Sequence, residues 1–379
     1  MFLKNQPQDQ QQQYQHFLRI VGSLSNLYSD SKTPYLYYRI AEKLFCRAFK
    51  ADDLSRGDVS ADAKKDNIGI GLKTFLANNN KTFQKVAEFN GDRNSYVNLG
   101  NTKLIRKIAE LRNTRIHFTE HIHQIQSSIY HCVLREEGKF KIFESNMDKI
   151  DIDNIQNVKR KKNTITFNDN INDYSFSLSK STLLKRFDST NFDLVLDEFD
   201  VDVLKDPLLT LQECFTKNER ESIFLTDAQI EQTIYLPLYG KGMKVFERSG
   251  LNQWNARGRK RNESEVYIPI PKLIHDKFPN FFPGRQQSFS LKLPNGKQMQ
   301  SKVCQDGEKA LMSYSNKELG EWILRDILEL REGELLTYEK LALLGVDSVR
   351  IDKTSNLEFE INFSKIGSYE NFKELYLDN

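Results

Sequence analysis

The stretch Asp58-Val59-Ser60-Ala61-Asp62-Ala63-Lys64-Lys65-Asp66-Asn67-Ile68-Gly69-Ile70-Gly71-Leu72-Lys73 sets the reading of the chain. Val59, Ala61 and Ala63 alternate with Ser60, Asp62 and Lys64, and Ile68, Ile70 and Leu72 alternate again after the Lys65-Asp66-Asn67 cluster of turn residues. A period of two marks half-buried strands, so the spacing predicts a β-hairpin with a tight connection. A turn centred on Asp66-Asn67 sets Asp62 opposite Gly71. Lys73 lies on the same face as Gly71, because side chains on one face recur every second residue. An acid and a lysine then share one patch. By itself such a pair reads as a solvated surface salt bridge.

Working outward, Leu36, Ile40, Leu44, Phe45 and Ala48 recur at helical spacing behind Pro34, which predicts a helix over 35–49 that carries Glu42. By spacing alone Glu42 is an ordinary helix-surface acid. Phe83, Val86 and Ala87 are spaced as the core face of a second helix, over 82–89, which would present Glu88. From Thr102 to Arg112 a basic amphipathic helix is expected, either solvated along its charged face or holding phosphates. Four of the six histidines, His117, His121, His123 and His131, fall where the chain reads as strand and loop, without the companion spacing of a zinc site. Ile129–Phe143 and Asn163–Leu178 read as hairpins turning near Gly138 and Asn170. Residues 179–186 read as the start of a helix.

At 379 residues the chain is long enough for two domains. Hydrophobic residues make up 39% and charged residues 28%, and no window is apolar enough for a membrane span or a signal peptide, so a cytoplasmic location is expected. Cys46, Cys132, Cys214 and Cys304 are scattered, which argues against a disulfide framework. A net charge of +3 permits a nucleic-acid partner without requiring one. An acidic run from Asp193 to Asp206, broken by Pro207, marks a boundary, and three parts follow: 1–200, a helical linker over 201–234, and 235–379.

The C-terminal part carries a second constellation. The loop from Asn252 to Arg261 holds Asn252, Gln253, Trp254, Asn255, Arg257, Arg259 and Arg261, ahead of the strand Val266–Ile270. Forked Arg, Asn and Gln side chains match guanine and adenine edges in the major groove, so such a loop suits base readout as well as phosphate contact.

Two resemblances connect these observations. Asp62 followed by Gly71-Leu72-Lys73 resembles the active-site hairpin of the PD-(D/E)XK nuclease superfamily, in which an Asp precedes a strand ending in acid-X-Lys. Gly71 departs from that pattern. Some restriction endonucleases of the superfamily take the missing carboxylate from the following helix, and Glu88 is the matching position here. The resemblance implies Asp62 (or Asp58), Lys73 and Glu88 as catalytic groups with Glu42 in support, and Mg²⁺ held by Asp62 and Glu88. The segment from about Tyr235 to Lys353 resembles the C-terminal, plant-B3-like pseudobarrel DNA-binding domain of a group of restriction endonucleases. In that group two arms grip the major groove. By resemblance the first arm is Asn252 to Arg261, and the second contains Ser313, Tyr314, Asn316 and Lys317.

The expected architecture is therefore an α+β or α/β nuclease core, a mixed sheet flanked by helices, followed by a mostly β pseudobarrel. The expected function is that of a type II restriction endonuclease acting on double-stranded DNA with Mg²⁺, as a homodimer at least during cleavage. The rival readings are a non-catalytic sequence-specific DNA-binding protein and a single-strand nicking or repair endonuclease.

Overall fold

The computed structural model describes residues 1–55, 59–77, 81–188, 195–218, 232–285 and 287–378. The chain divides into two compact units. The first comprises Met1–Arg56, Ser60–Ile116 and Ile125–Thr226, the second Gly57–Val59, His117–Gln124 and Asp227–Asn379.

The first unit opens with helices α1 (Gln8–Ser23) and α2 (Tyr38–Phe49), followed by strands β1 (Asp52–Asp53), β2 (Ala63–Lys65), β3 (Ile68–Leu76) and β4 (Lys81–Glu88). Helices α3 (Arg93–Tyr96) and α4 (Asn101–Ile122) lead to β5 (Ser127–Glu136), β6 (Lys139–Asn146), β7 (Gln156–Lys161), β8 (Thr164–Asn168), β9 (Asp173–Ser177), β10 (Thr182–Asp188), β11 (Val195–Asp200) and α5 (Pro207–Asn218). Two sheets result, one of six strands in the order β1-β2-β3-β5-β6-β11 and one of five in the order β4-β10-β9-β8-β7. The five-stranded sheet is antiparallel throughout, whereas β3 and β5 pair in parallel across a crossover that contains α4. One face of the six-stranded sheet buries Ile70, Leu72, Val133 and Ile142 against Tyr14, Leu18, Phe45 and Phe49 of α1 and α2. The opposite face buries Phe75, Tyr130, Cys132 and Phe143 with Phe187 of β10. At about 1.5–3 kcal/mol for each large apolar side chain removed from water, these faces fix the registers of β3 and β5.

The deciding hairpin forms as its alternation requires. Ala63 pairs with Ile70 and Lys65 with Ile68 around a two-residue turn in which Asp66 has φ +52°. Its first strand is shorter than the pattern 59–63 suggests, beginning only at Ala63. Three other expectations are corrected. Residues 81–88 form strand β4 rather than a helix, because β10 supplies an antiparallel partner from Lys81 to Glu88. His117 and His121 lie on α4, which continues through Ile122. Thr182–Asp188 is strand β10 rather than the continuation of a helix.

Among the described residues no group of three or more His, Cys, Asp and Glu is arranged to hold a metal. The buried His131 instead places Nδ1 3.1 Å from Glu144 Oε1, and Glu144 also accepts the backbone N–H groups of Phe2 and Leu3 at 2.7 and 3.0 Å. No helix among the described residues is long and apolar enough to cross a membrane.

The second unit is built on a seven-stranded sheet formed by β12 (Gln232–Pro237), β13 (Ile268–Pro269), β14 (Phe289–Lys292), β15 (Gln298–Cys304), β16 (Ala310–Ser313), β17 (Val346–Lys353) and β18 (Glu358–Lys365). The order is β12-β17-β18-β14-β15-β16-β13, with only β14 and β18 parallel, and the edge strands β12 and β13 approach one another to give a nearly closed barrel. Helices α6 (Lys272–Lys277), α7 (Glu318–Gly320), α8 (Tyr338–Leu344) and α9 (Ser368–Tyr376) surround it, and α7 runs on as a π-type helix over Glu321–Ile327. Phe281, Phe289, Phe359, Ile361 and Phe363 fill the interior. The molecule thus joins a mixed α and β unit to a pseudobarrel.

Candidate functional site

In the first unit the hairpin brings Asp62 and Lys73 together. The Asp62 N–H donates to the Ile70 carbonyl at 2.8 Å, which carries the β2–β3 ladder one residue beyond the strand. The Asp62 carboxylate then turns toward β3, where Oδ2 accepts the Leu72 N–H at 2.7 Å and stands 3.8 Å from Lys73 Nζ. Both side chains remain accessible, Asp62 at 27% and Lys73 at 22%. Leu72 anchors the other face of β3 in the core, so the lysine is presented from a rigid strand.

Glu42 of α2 lies within electrostatic reach of Asp62. It is buried, and its Oε2 takes an ion pair from Arg39 Nη1 at 3.3 Å. Burial raises the pKa of its carboxyl group, and the nearby charge of Asp62 pushes it further in the same direction. Asp62 Oδ1 and Glu42 Oε1 accept no hydrogen bond among the described residues. Asp62 and Glu42, each with such an oxygen, are the carboxylates here that could hold a divalent cation of the Mg²⁺ kind, which takes one or two carboxylates and completes its shell with water and phosphate oxygens.

The remaining sequence-derived members are Asp58 and Glu88. Asp58 lies outside the described residues. Glu88 stands at the end of β4 in the five-stranded sheet, where its carboxylate takes Lys85 Nζ at 2.9 Å and a short hydrogen bond from Asn90. The correction is to the element that carries it: residues 81–88 form a strand of the five-stranded sheet, and Glu88 is not on the helix expected to present it. The position of the absent acid is also filled. A β-carbon on Gly71 would stand 2.7 Å from Met147 Cε and 3.0 Å from Tyr130 Cδ1. The Tyr130 hydroxyl accepts from Arg112 Nη2 at 3.2 Å, while Arg112 Nη1 donates to the Asp148 carbonyl at 2.7 Å. Arg112, read from sequence as part of a basic helix face, is therefore a buried brace. Arg115 likewise pairs with Asp92 at 2.8 Å.

One residue near this site was not signalled by the sequence. Lys185 of β10 is 3% exposed, and its ammonium lies over the rings of Tyr130 and Phe187 at 5.6 and 5.0 Å. Burial lowers its pKa against the opposing pull of Asp148. Lys73 lies over the same Tyr130 ring at 5.6 Å. Only the pairing of β10 with β9 and β4, which is remote in sequence, reveals this placement.

In the second unit the two expected arms separate into braces and exposed groups. Asn252 is 1% exposed and spent on the backbone: its amide donates to the Leu336 carbonyl at 2.9 Å and accepts the Leu336 N–H at 2.9 Å. It is corrected from a base reader to a loop anchor. Trp254 is half-buried against the core, and Gln253 is half-buried beside it. Asn255 is exposed but donates to the Glu247 carbonyl at 3.0 Å. Arg261 ties the loop by donating to the Ala256 carbonyl at 2.7 Å, and Arg259 pairs with Glu265. Arg257 and Lys260 are exposed, and their side chains make no hydrogen bond or ion pair among the described residues.

In the second arm Ser313 is buried, and its hydroxyl accepts the Leu319 N–H at 3.1 Å, so it too is structural. Tyr314 is exposed with Lys302 Nζ 5.0 Å from its ring, Asn316 is exposed in a left-handed turn at φ +63°, and Lys317 pairs with Glu321 at 3.7 Å.

Residues 226–355, about a third of the chain, match the family model of the NgoFVII C-terminal B3-like DNA-binding domain. A search of curated proteins gives no match. The matched region covers the stretch from Tyr235 to Lys353 that carries the sequence resemblance, and it includes both arms. The seven-stranded pseudobarrel thus contains, from β12 through β17, the region similar to that B3-like DNA-binding domain, which is consistent with a B3-like pseudobarrel.

Proposed function

We propose that the protein is a type II restriction endonuclease that hydrolyses phosphodiester bonds in double-stranded DNA at a sequence read by its C-terminal domain. The observation that carries this reading is the Asp62–Lys73 pair at 3.8 Å beside the buried Glu42, in a chain that also holds a B3-like DNA-binding domain. Asp62 and Glu42 would hold Mg²⁺, which when bound supplies Lewis-acid charge and makes water more acidic. Lys73 meets the negative charge that develops on the phosphoryl oxygens as water attacks, and its fixed position on β3 avoids reorganisation at that moment. The water oxygen bonds to phosphorus, one P–O ester bond breaks, and the departing oxygen takes up a proton. Arg257 and Lys260, with Tyr314 and Asn316 of the other arm, are the groups best exposed to reach DNA. One such site cuts one strand, so double-strand cleavage calls for two copies of the chain.

The test is incubation of supercoiled plasmid DNA with the full chain and Mg²⁺, followed by sequencing of the fragment ends. Defined linear fragments are the expected result. Open circles alone would indicate a nicking enzyme. Uncut plasmid with sequence-specific binding retained would indicate a non-catalytic DNA-binding protein, the reading that Gly71 favours.

A further inference from the structure

The five-stranded sheet of the first unit has one buried and one open face, and the open face has an ordered chemistry. Arg160, Ile165, Phe176 and Leu183 pair in register across β7, β8, β9 and β10, and Ile165, Phe176 and Leu183 are fully buried beneath α4. Cross-strand partners share a face and neighbours along a strand do not, so the adjacent rows point away from that core. One adjacent row is Lys161–Thr164–Ser177–Thr182, and the other begins Lys159–Thr166–Ser175. Five hydroxyls thus run inward from two lysines at the sheet edge, of which those of Thr164, Thr166 and Ser177 are accessible and those of Ser175 and Thr182 are buried.

Charge on this face is unbalanced at that edge. The acids of the open face are already matched, Glu88 by Lys85 at 2.9 Å and Asp173 by Arg186 at 3.5 Å. Lys159 and Lys161 are exposed and have no acidic partner among the described residues. They belong to the basic run Lys159-Arg160-Lys161-Lys162, within which Arg160 leans toward the other face and reaches Asn101 at 3.5 Å. A basic run on an edge strand normally serves to repel other strands. That role needs charge at the edge and places no demand on the sheet behind it. Rows of hydroxyls in register with the lysines match a different requirement, because Lys, Ser and Thr are side chains with which proteins grip DNA phosphates without reading sequence.

We propose that this face, from Lys159 and Lys161 inward across Thr164, Thr166 and Ser177, is a second DNA-contacting surface that takes the sugar-phosphate backbone of a duplex independently of sequence. The inference extends the reading of the chain as a DNA-acting protein and does not depend on cleavage. It assigns the first unit a share of non-specific affinity that the B3-like domain alone would not supply.

The test is equilibrium binding of the full chain to a duplex of arbitrary sequence over a range of salt concentrations, comparing wild type with the double variant Lys159→Gln/Lys161→Gln. Each phosphate contact contributes a slope of about 0.9 in log affinity against log salt, so the variant should lose up to about two units of slope. Its affinity should fall by the same factor on every duplex sequence, while its preference for the specific site is unchanged. Lys159→Arg/Lys161→Arg should restore the wild-type slope. Both positions carry exposed side chains, and equal unfolding midpoints check that the variants fold. An unchanged slope in the Gln variant would overturn the proposal, as would a loss confined to single strands. Failure of plasmid cleavage would count against the endonuclease reading and leave this result standing.

Discussion

Gly320 meets the backbone of Ser264 so closely that a β-carbon at Gly320 would stand 2.0 Å from the Ser264 carbonyl oxygen. Ser264 closes the first arm and Gly320 follows the second, so this contact holds the two arms in one arrangement. Arg325 strengthens it by donating to the Glu263 carbonyl at 2.9 Å. A backbone carbonyl cannot swing aside as a side chain can, and Gly320→Ala must therefore push the helix off the loop. Overpacking of this kind costs about 1–3 kcal/mol. The variant should unfold at a lower temperature in calorimetry and bind its DNA site more weakly, although Gly320 itself offers no group to a base. Unchanged binding would show that the arms are positioned by other contacts.

The hairpin variants separate chemistry from binding. Lys73→Ala and Asp62→Asn should each lower the cleavage rate by about two to three orders of magnitude, the scale seen when one preorganised charge-stabilising group is removed. Affinity for the specific duplex should change by no more than a few fold. Retained cleavage in Lys73→Ala would sink the assignment of this site.

Gly71→Glu, which writes the acid-X-Lys pattern back into the chain, should fail to raise activity. Its side chain would have to displace Met147 and Tyr130, and with Tyr130 the hydroxyl that accepts from Arg112. Lower thermal stability is the expected readout. A gain in cleavage would mean that the Tyr130 ring yields easily.

Much of this site was legible because it rests on local alternation. The hairpin from Ala63 to Leu76 and the hairpins formed by β5 with β6 and by β8 with β9 follow from a period of two and their turn residues. What failed were short apolar segments whose state is decided by a distant partner. Phe83, Val86 and Ala87 suit a helix by spacing, yet β10 pairs with residues 81–88, and the Leu183-Leu184 pair is equally ambiguous until that partner is known. His117–Ile122 misled in the other direction, because its β-branched and aromatic residues suggest a strand while the helix begun at Asn101 continues through them. No pattern in the loop distinguishes Asn252, which is buried, from Arg257, which is exposed, since both residue types suit base edges equally well.

Glu42 should make the site sensitive to pH and to divalent cations. Its folded-state pKa is raised above the ordinary carboxylate value by burial and by Asp62, so the folded state binds its proton more tightly than the unfolded chain does. The stabilisation from protonated Glu42 is fully present below the unfolded pKa and is lost as pH rises through the folded one. In the absence of a divalent cation, Glu42→Gln should therefore melt higher than wild type at about pH 8, and the difference should shrink toward about pH 4. Mg²⁺ should raise the wild-type midpoint at the higher pH and have less effect on the variant. Scanning calorimetry at the two pH values checks both signs, and equal Mg²⁺ effects in wild type and variant would remove Glu42 from the cation site.

The arginines of the first arm should divide by role. Arg261 donates to the Ala256 carbonyl from within the loop, and Asn252 satisfies both backbone groups of Leu336. Asn252→Ala strands those buried groups at a cost of about 1–3 kcal/mol, and Arg261→Ala loosens the loop, so both should lower the unfolding temperature and weaken binding to all DNA together. Arg257 holds nothing inside the protein. Arg257→Ala should leave the unfolding temperature unchanged, and if its guanidinium reads a guanine it should cost about 1–3 kcal/mol of discrimination at one base pair. Binding measured against a set of single-base-pair variants of the site separates the outcomes. A loss confined to one position makes Arg257 a base reader, a uniform loss with a shallower salt dependence makes it a phosphate contact, and no loss removes it from the interface.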